Sequence, residues 1–206
     1  ALKLYKQCDA IEATILGKNH IWRMTTIANE GYCYSQLSDS TNAIKCFEAH
    51  QAACQQLYNL ECDAAMNTLF ALGHEYYNHQ FENHYPKALN AYFQAYELAK
   101  NLNDSINYNS SLYCISLCYF SQSQENNGDE QGKYLENAEV FVRELRNDNE
   151  EDRYLKNLIY DNLANFYNKK SEEYLQDSIT LQQALDYSQK ALETYQKKPD
   201  ADQGVK

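Results

Sequence analysis

Cys46, His50 and Cys54 stand at i, i+4 and i+8, so on a helix all three would share one face. Two thiols and an imidazole are soft-metal ligands, and Cys62 could supply a distant fourth. Structural zinc sites, however, use short Cys-x-x-Cys hooks presented from turns, and no such hook occurs. Cysteine also behaves as a small apolar side chain in packed helices, so the triplet reads first as core, with no metal and no cofactor expected. Cys33, Cys114 and Cys118 fall in apolar helical patterns without a neighbouring base, which argues against a nucleophile. His74, His79 and His84 are spaced by five, which does not align them on one helical face. The chain has no Gly-rich phosphate loop, no nucleophile elbow and no His-Glu-x-x-His, so no catalytic residue is assigned and a non-enzymatic role is expected.

Composition narrows the partners. The formal net charge of the 206 residues is -11, which disfavours a phosphate-backbone ligand and an anionic membrane surface. Ten carboxylates against three basic residues between Glu125 and Asp152 put about -7 of that charge in one segment. It reads as a solvated face, with a landing area for a basic partner segment as the sharper alternative. Seven cysteines, an odd number, together with the absence of a signal peptide, suggest a reducing, cytoplasmic setting. In that setting the triplets Asn103-Asp104-Ser105 and Asn109-Ser110-Ser111 are chance matches to a glycosylation acceptor. Nineteen Tyr against seven Phe point to many aromatics with one end near water.

The elements that carry these residues repeat. Gly31, Gly73, Ser116 and Ala164 lie 42, 43 and 48 residues apart, and each is followed three positions later by Tyr. Each first-helix pattern leads through polar residues to a second one: Ala43, Phe47 and His50; Ala88, Tyr92 and Ala95; Ala138, Val142 and Leu145; Ala184, Ser188 and Ala191. Paired helices approach most closely where a side chain is tiny, and larger neighbours fill the groove beside that contact. One pair cannot cover its own apolar stripe, so pairs must stack, and stacking leaves a concave side. Ser38-Asp39-Ser40, Asp104-Ser105, Asp148 and Asp177-Ser178 suit helix N-caps, Pro86 suits a first helical turn, and Pro199 a stop. The stretch 121–133, SQSQENNGDEQGK, reads as a long, polar, mobile connection. Ala1, Tyr5 and Cys8 reproduce second-helix spacing with no first helix before them and no initiator Met, as in a piece of a longer repeat protein. The expected organisation is a single repeat domain over 1–206. It comprises a second helix of a truncated repeat (1–17), repeats at 20–58, 61–101, 105–147 and 150–197, and a tail at 198–206.

Leu72-Gly73-x-x-Tyr76 and Ala88-x-x-x-Tyr92-x-x-Ala95 resemble the tetratricopeptide repeat (TPR), and the resemblance covers essentially the whole chain. The period exceeds the usual ~34 residues, and so looks more like the extended variety of kinesin light chains, spindle-orientation adaptors and bacterial peptide-pheromone receptors. Val142 and Ser188 depart from the pattern by replacing the aromatic of the second helix. The resemblance implies an all-α fold: an α-solenoid of antiparallel helix pairs, about nine helices in a right-handed superhelix. It implies a protein–protein interaction module, a scaffold or adaptor taking a partner peptide or helix in its concave groove. A peptide-sensing receptor domain and a self-associating architectural solenoid are the alternatives.

In such proteins the first helices line the groove. Helical spacing from each anchor then places Ala28, Tyr32 and Ser35 inward, followed by Asn67, Phe70, His74, Tyr77 and Asn78. Tyr113, Leu117 and Phe120 come next, and then Asp161, Asn165 and Asn168. Such a surface is aromatic and amide-rich, suited to a peptide backbone. Its stripe is nearly free of Lys and Arg, with Lys169 at the margin, so the carboxylate-clamp mode of gripping an acidic tail is not expected.

Overall fold

Among the described residues the chain forms nine α-helices and no strand. The computed structural model describes residues 1–17, 20–58, 63–79, 84–146, 149–175 and 181–199. The helices are α1 (Leu2–Ile15), α2 (Ile21–Gln36), α3 (Ser40–Tyr58), α4 (Asp63–Asn78), α5 (His84–Asn101), α6 (Ser105–Glu125), α7 (Gly128–Val142), α8 (Glu150–Leu175) and α9 (Leu181–Gln196). They fall into two compact units, Ala1–Ser111 and Leu112–Lys206, with the boundary inside α6.

In the first unit, α2 pairs with α3 and α4 with α5, and α3 also packs on α4. Two glycines set the closeness of the pairs. A Cβ on Gly31 would lie 2.7 Å from Cε1 of Phe47, and one on Gly73 would lie 2.3 Å from Cε1 of Tyr92. Each aromatic of a second helix therefore seats directly on the bare backbone of a first helix. Around these contacts, Ala43, Ile44, Phe47, Leu72 and Ala91 form one buried cluster. Met66, Leu69, Ala95 and Leu98 belong to a second, with Cys54 and Ala65.

The turns follow from local chemistry. Ser38 and Asn103 have φ of 58° and 55°, the left-handed conformation that ends a helix. The next residue closes the turn: Asp39 N–H donates to Tyr34 O, and Asp104 N–H to Ala99 O, each at 2.9 Å. The same two aspartates then cap the helices that follow. Asp39 Oδ1 accepts from Asn42 N at 3.2 Å, and Asp104 Oδ1 from Ile106 N and Asn107 N at 3.1 Å. At α8 the cap is Asn149, whose Oδ1 accepts from Asp152 N at 2.7 Å. Asp148, Asp177 and Ser178 lie outside the described residues.

The second unit corrects the expected long connection. α6 continues to Glu125 and α7 begins at Gly128, leaving only Asn126 and Asn127 between them. Polar residues there form the solvent side of helical turns, while Ser123 is fully buried and donates to Phe120 O. Asn126 Nδ2 donates to Gln122 O at 2.7 Å, and Gly128 takes φ of 60°. Gly132, expected in that connection, is buried on α7 instead, and a Cβ there would meet Cζ of Phe166 on α8 at 2.1 Å. Where the first-helix anchor is Ser116, the second helix carries Val142, and both are fully buried. α8 and α9 pack through Ser171, whose hydroxyl donates to Ala184 O and lies 2.7 Å from Ser188 Oγ.

Candidate functional site

α4 carries the densest set of expected groove residues. Asn67, His74 and Asn78 are exposed, Phe70 and Tyr77 are half-buried, and Leu69 and Leu72 on the opposite face are buried. His74 is held in place: its Nδ1 lies 3.0 Å from the hydroxyl of Tyr92, the residue seated over Gly73. Phe70 lies beside the same imidazole, ring centroids 6.5 Å apart. Desolvation by this aromatic setting lowers the His74 pKa, with Glu75 opposing, so the ring is neutral near pH 7. In the tautomer where Tyr92 donates to Nδ1, Nε2–H remains as a donor. Tyr77 packs edge-on against Tyr85 at 6.1 Å. The result is a row of exposed carboxamides, a tethered imidazole and ring faces. Such a row can hydrogen-bond a peptide and cover its apolar side chains.

α2 touches α4. Tyr32 is exposed, with its ring 4.9 Å from that of Phe47, and Ser35 is half-buried. Ala28, expected to face inward, is buried in the helix packing and offers no surface. In the second unit Tyr113, Leu117 and Phe120 are half-buried, and Phe120 packs against the cluster of Leu135, Leu163, Tyr167 and Ala191. Asn165 and Asn168 are exposed on α8, whereas Asp161 is engaged by Lys198 Nζ at 2.7 Å.

The thiol and imidazole candidates resolve into packing. His50 and Cys54 are each 1% exposed. The His50 Nδ1 lies 3.1 Å from Thr68 Oγ1, and the Cys54 sulfur 3.6 Å from the same nitrogen. Burial lowers the His50 pKa, and burial pushes the Cys46 thiol up to about 11. Metals and electrophiles need the thiolate and access to it; Cys54 is closed off by burial, and the half-buried Cys46 is kept as the thiol. Among the described residues no three His, Cys, Asp or Glu converge to hold a metal, and Cys62 lies outside them. Cys118 is buried and pushed up to about 12, also by burial. His79 is 3.6 Å from Glu75 and the His84 ring rests on Tyr85, so the three histidines of this region have three different partners.

The acidic run is partly used within the second unit. Asp129 pairs with Lys170 at 2.8 Å, Glu136 accepts from the Tyr167 hydroxyl at 2.8 Å, and Glu139 pairs with Lys197 at 3.2 Å. Those carboxylates tie helices together, which weakens the notion of a landing area. Sequence reasoning missed the opposite face of α4, where a cleft of about 410 Å³ opens between α3 and α5. Its signal was present as a second recurrence, 39 residues apart, on the second helices.

No family model and no curated protein sequence matches the chain. Solved structures do: TPR-like repeats of a kinesin light chain from Podosopora anserina superpose over 98% of this chain and 85% of that one, with a TM-score of 0.58. The fold is a TPR-like α-solenoid. Sequence identity across that superposition is 17%, so the likeness lies in the fold. Within this solenoid, α2 and α4 are first helices and α3 and α5 second helices of their pairs. Among the described residues no helix is long and apolar enough to cross a membrane.

Proposed function

We propose that the chain is a non-enzymatic protein-interaction module, a scaffold or adaptor whose first helices bind a peptide or helix of a partner protein. TPR-like folds commonly serve in this way. The observation that carries this reading is the α4 row of exposed Asn67, His74 and Asn78 interleaved with half-buried Phe70 and Tyr77. Carboxamides and a neutral imidazole satisfy a peptide backbone without demanding charge, and rigid rings add contact area at low entropic cost. Tyr32 and Ser35 on α2 extend the same surface, and Asn165 and Asn168 form a smaller one on α8. The test is selection of a binding peptide from a displayed library, followed by titration of the chain and of a Tyr77→Ala, Asn78→Ala double variant. Affinity should fall about tenfold or more, the loss of one or two anchors, with helicity and melting retained. Unchanged affinity would remove α4 from the site.

Self-association is a second reading, favoured by exposed apolar residues on two helices: Leu4, Ile11 and Ile15 on α1, and Leu185, Leu192 and Tyr195 on α9. Light scattering over a concentration series separates it from a monomeric adaptor.

A further inference from the structure

The cleft on the far side of α4 has an order of its own. α3 brings Glu48, Gln51, Ala52 and Gln55 to one wall, and α5 brings Lys87, Asn90, Ala91 and Gln94 to the other. Both sets follow i, i+3, i+4, i+7, and each α3 residue precedes its α5 counterpart by 39 positions. Acid thus corresponds to base, amide to amide, Ala to Ala and Gln to Gln. Leu69, Leu72 and Tyr76 of α4 complete the lining. One end is fixed: the Tyr76 hydroxyl donates to Glu48 Oε1 at 2.8 Å, and Lys87 Nζ lies 5.5 Å from the centre of the Tyr76 ring.

Gln51 shows what this lining lacks. It is only 6% exposed, and its Nε2 donates to Ala65 O and to Thr68 Oγ1. Its Oε1 is buried without a hydrogen-bond partner among the described residues. A buried acceptor left unmatched is costly, so a ligand bearing an N–H donor is favoured here over an apolar one. The remaining amides narrow the class. A carboxamide both donates and accepts, as a peptide group does, and two facing amide rows can serve both edges of an extended chain. The seven helical steps from Glu48 to Gln55 span about 10 Å at ~1.5 Å each, the length of roughly three residues of extended chain at ~3.3 Å each. The cleft volume of about 410 Å³ falls within the range of roughly 300–1,000 Å³ typical of ligand sites.

We propose that this cleft binds a short extended segment of a separate polypeptide through its main chain, with one apolar side chain set on Leu69 and Leu72. Recognition is sequence-tolerant, because the amide rows read the backbone. The site shares no residue with the α4 row proposed above and stands or falls independently of it.

Acetyl-Ser-Leu-Ser-amide and its analogue N-methylated at every residue, which lacks those main-chain donors, are titrated into the full ¹⁵N-labelled chain while side-chain amide resonances are followed. Saturable shifts of the Gln51, Gln55, Asn90 and Gln94 carboxamides are expected, with the N-methylated peptide about tenfold weaker, roughly the worth of one hydrogen bond. An Asn90→Leu, Gln94→Leu double variant should bind the parent peptide about tenfold more weakly as well. The Tyr77→Ala, Asn78→Ala protein should bind it as the parent chain does. The assignment is overturned if both peptides bind equally or no shift saturates at millimolar peptide. Shifts confined to Asn67 and Asn78, or indifference to the Asn90→Leu, Gln94→Leu change, would overturn it too. A doubling of mass that accounts for the shifts would give the cleft to a second copy, with the same consequence.

Discussion

Gly73 has room for a hydrogen and little else. A Cβ there would sit 2.3 Å from Cε1 of Tyr92 and 2.7 Å from Cδ1 and Cζ. The ring cannot easily retreat, because it is 2% exposed and its hydroxyl is bound to His74. Gly73→Ala should therefore destabilise by about 1–3 kcal/mol, the usual cost of overpacking, even though Ala favours a helix by up to ~1 kcal/mol. Gly31→Ala, where Phe47 has no hydroxyl tether and the nearest ring atom is 2.7 Å away, should cost less. Urea unfolding of the two variants decides the order. His50 supplies a second prediction. Burial lowers its pKa in the fold, so its stabilising contribution is present above the unfolded imidazole value and is lost as pH falls through the depressed one. His74 acts in the same direction. Urea midpoints should fall between about pH 7.5 and about pH 5.5, a window that brackets the unperturbed value of about 6.5. His50→Gln should remove part of that fall, and an unchanged pH slope would refute the assignment.

Helix ends are the next level, where the same device appears twice. A residue of positive φ, an aspartate and a serine end α2 and start α3, and they do the same between α5 and α6. Hydrogen bonding to the Asn107 backbone, and then to its side chain, holds the Asp104 carboxyl below its usual pKa. Asp39→Ala and Asp104→Ala should each cost about 0.5–2 kcal/mol, as lost N-caps do, and thermal unfolding with circular dichroism checks this. Ends and anchors were legible because their chemistry is local: a cap needs a side-chain oxygen, and a close contact needs a small residue. The stretch 121–133 was not, because its buried positions are Gln122, Ser123 and Gly132, which carry no apolar period. Gly132 fell inside that expected connection, whereas it receives Phe166. That contact reverses the pattern of the first unit, with the small residue now on a second helix and the aromatic on a first. On α4, helical period put Asn67, His74 and Asn78 on a face that reaches solvent. It could not tell that Ala28 is enclosed by packing, nor that Phe120 packs on the core of its own unit.

Substantial helix contacts join sequence neighbours, α1 with α2 through α4 with α5, then α7 with α8 and α8 with α9, apart from the α2–α4 touch. Chains built this way gain stability as a sum of local terms, and a perturbation decays with distance along the array. The division at Ser111–Leu112 sets where that decay should be visible. Tyr92, the residue that a methyl at Gly73 displaces, packs with α4 and α5, while the cluster of Leu135, Leu163 and Tyr167 lies wholly in the second unit. Native-state hydrogen exchange of Gly73→Ala should therefore show faster exchange of α3, α4 and α5 amides, by up to the ~1–3 kcal/mol assigned to the substitution. Amides of α8 and α9 should keep their parent rates. Equal acceleration in all helices would mean that the units unfold as one, and the local account of this solenoid would give way to a single cooperative core.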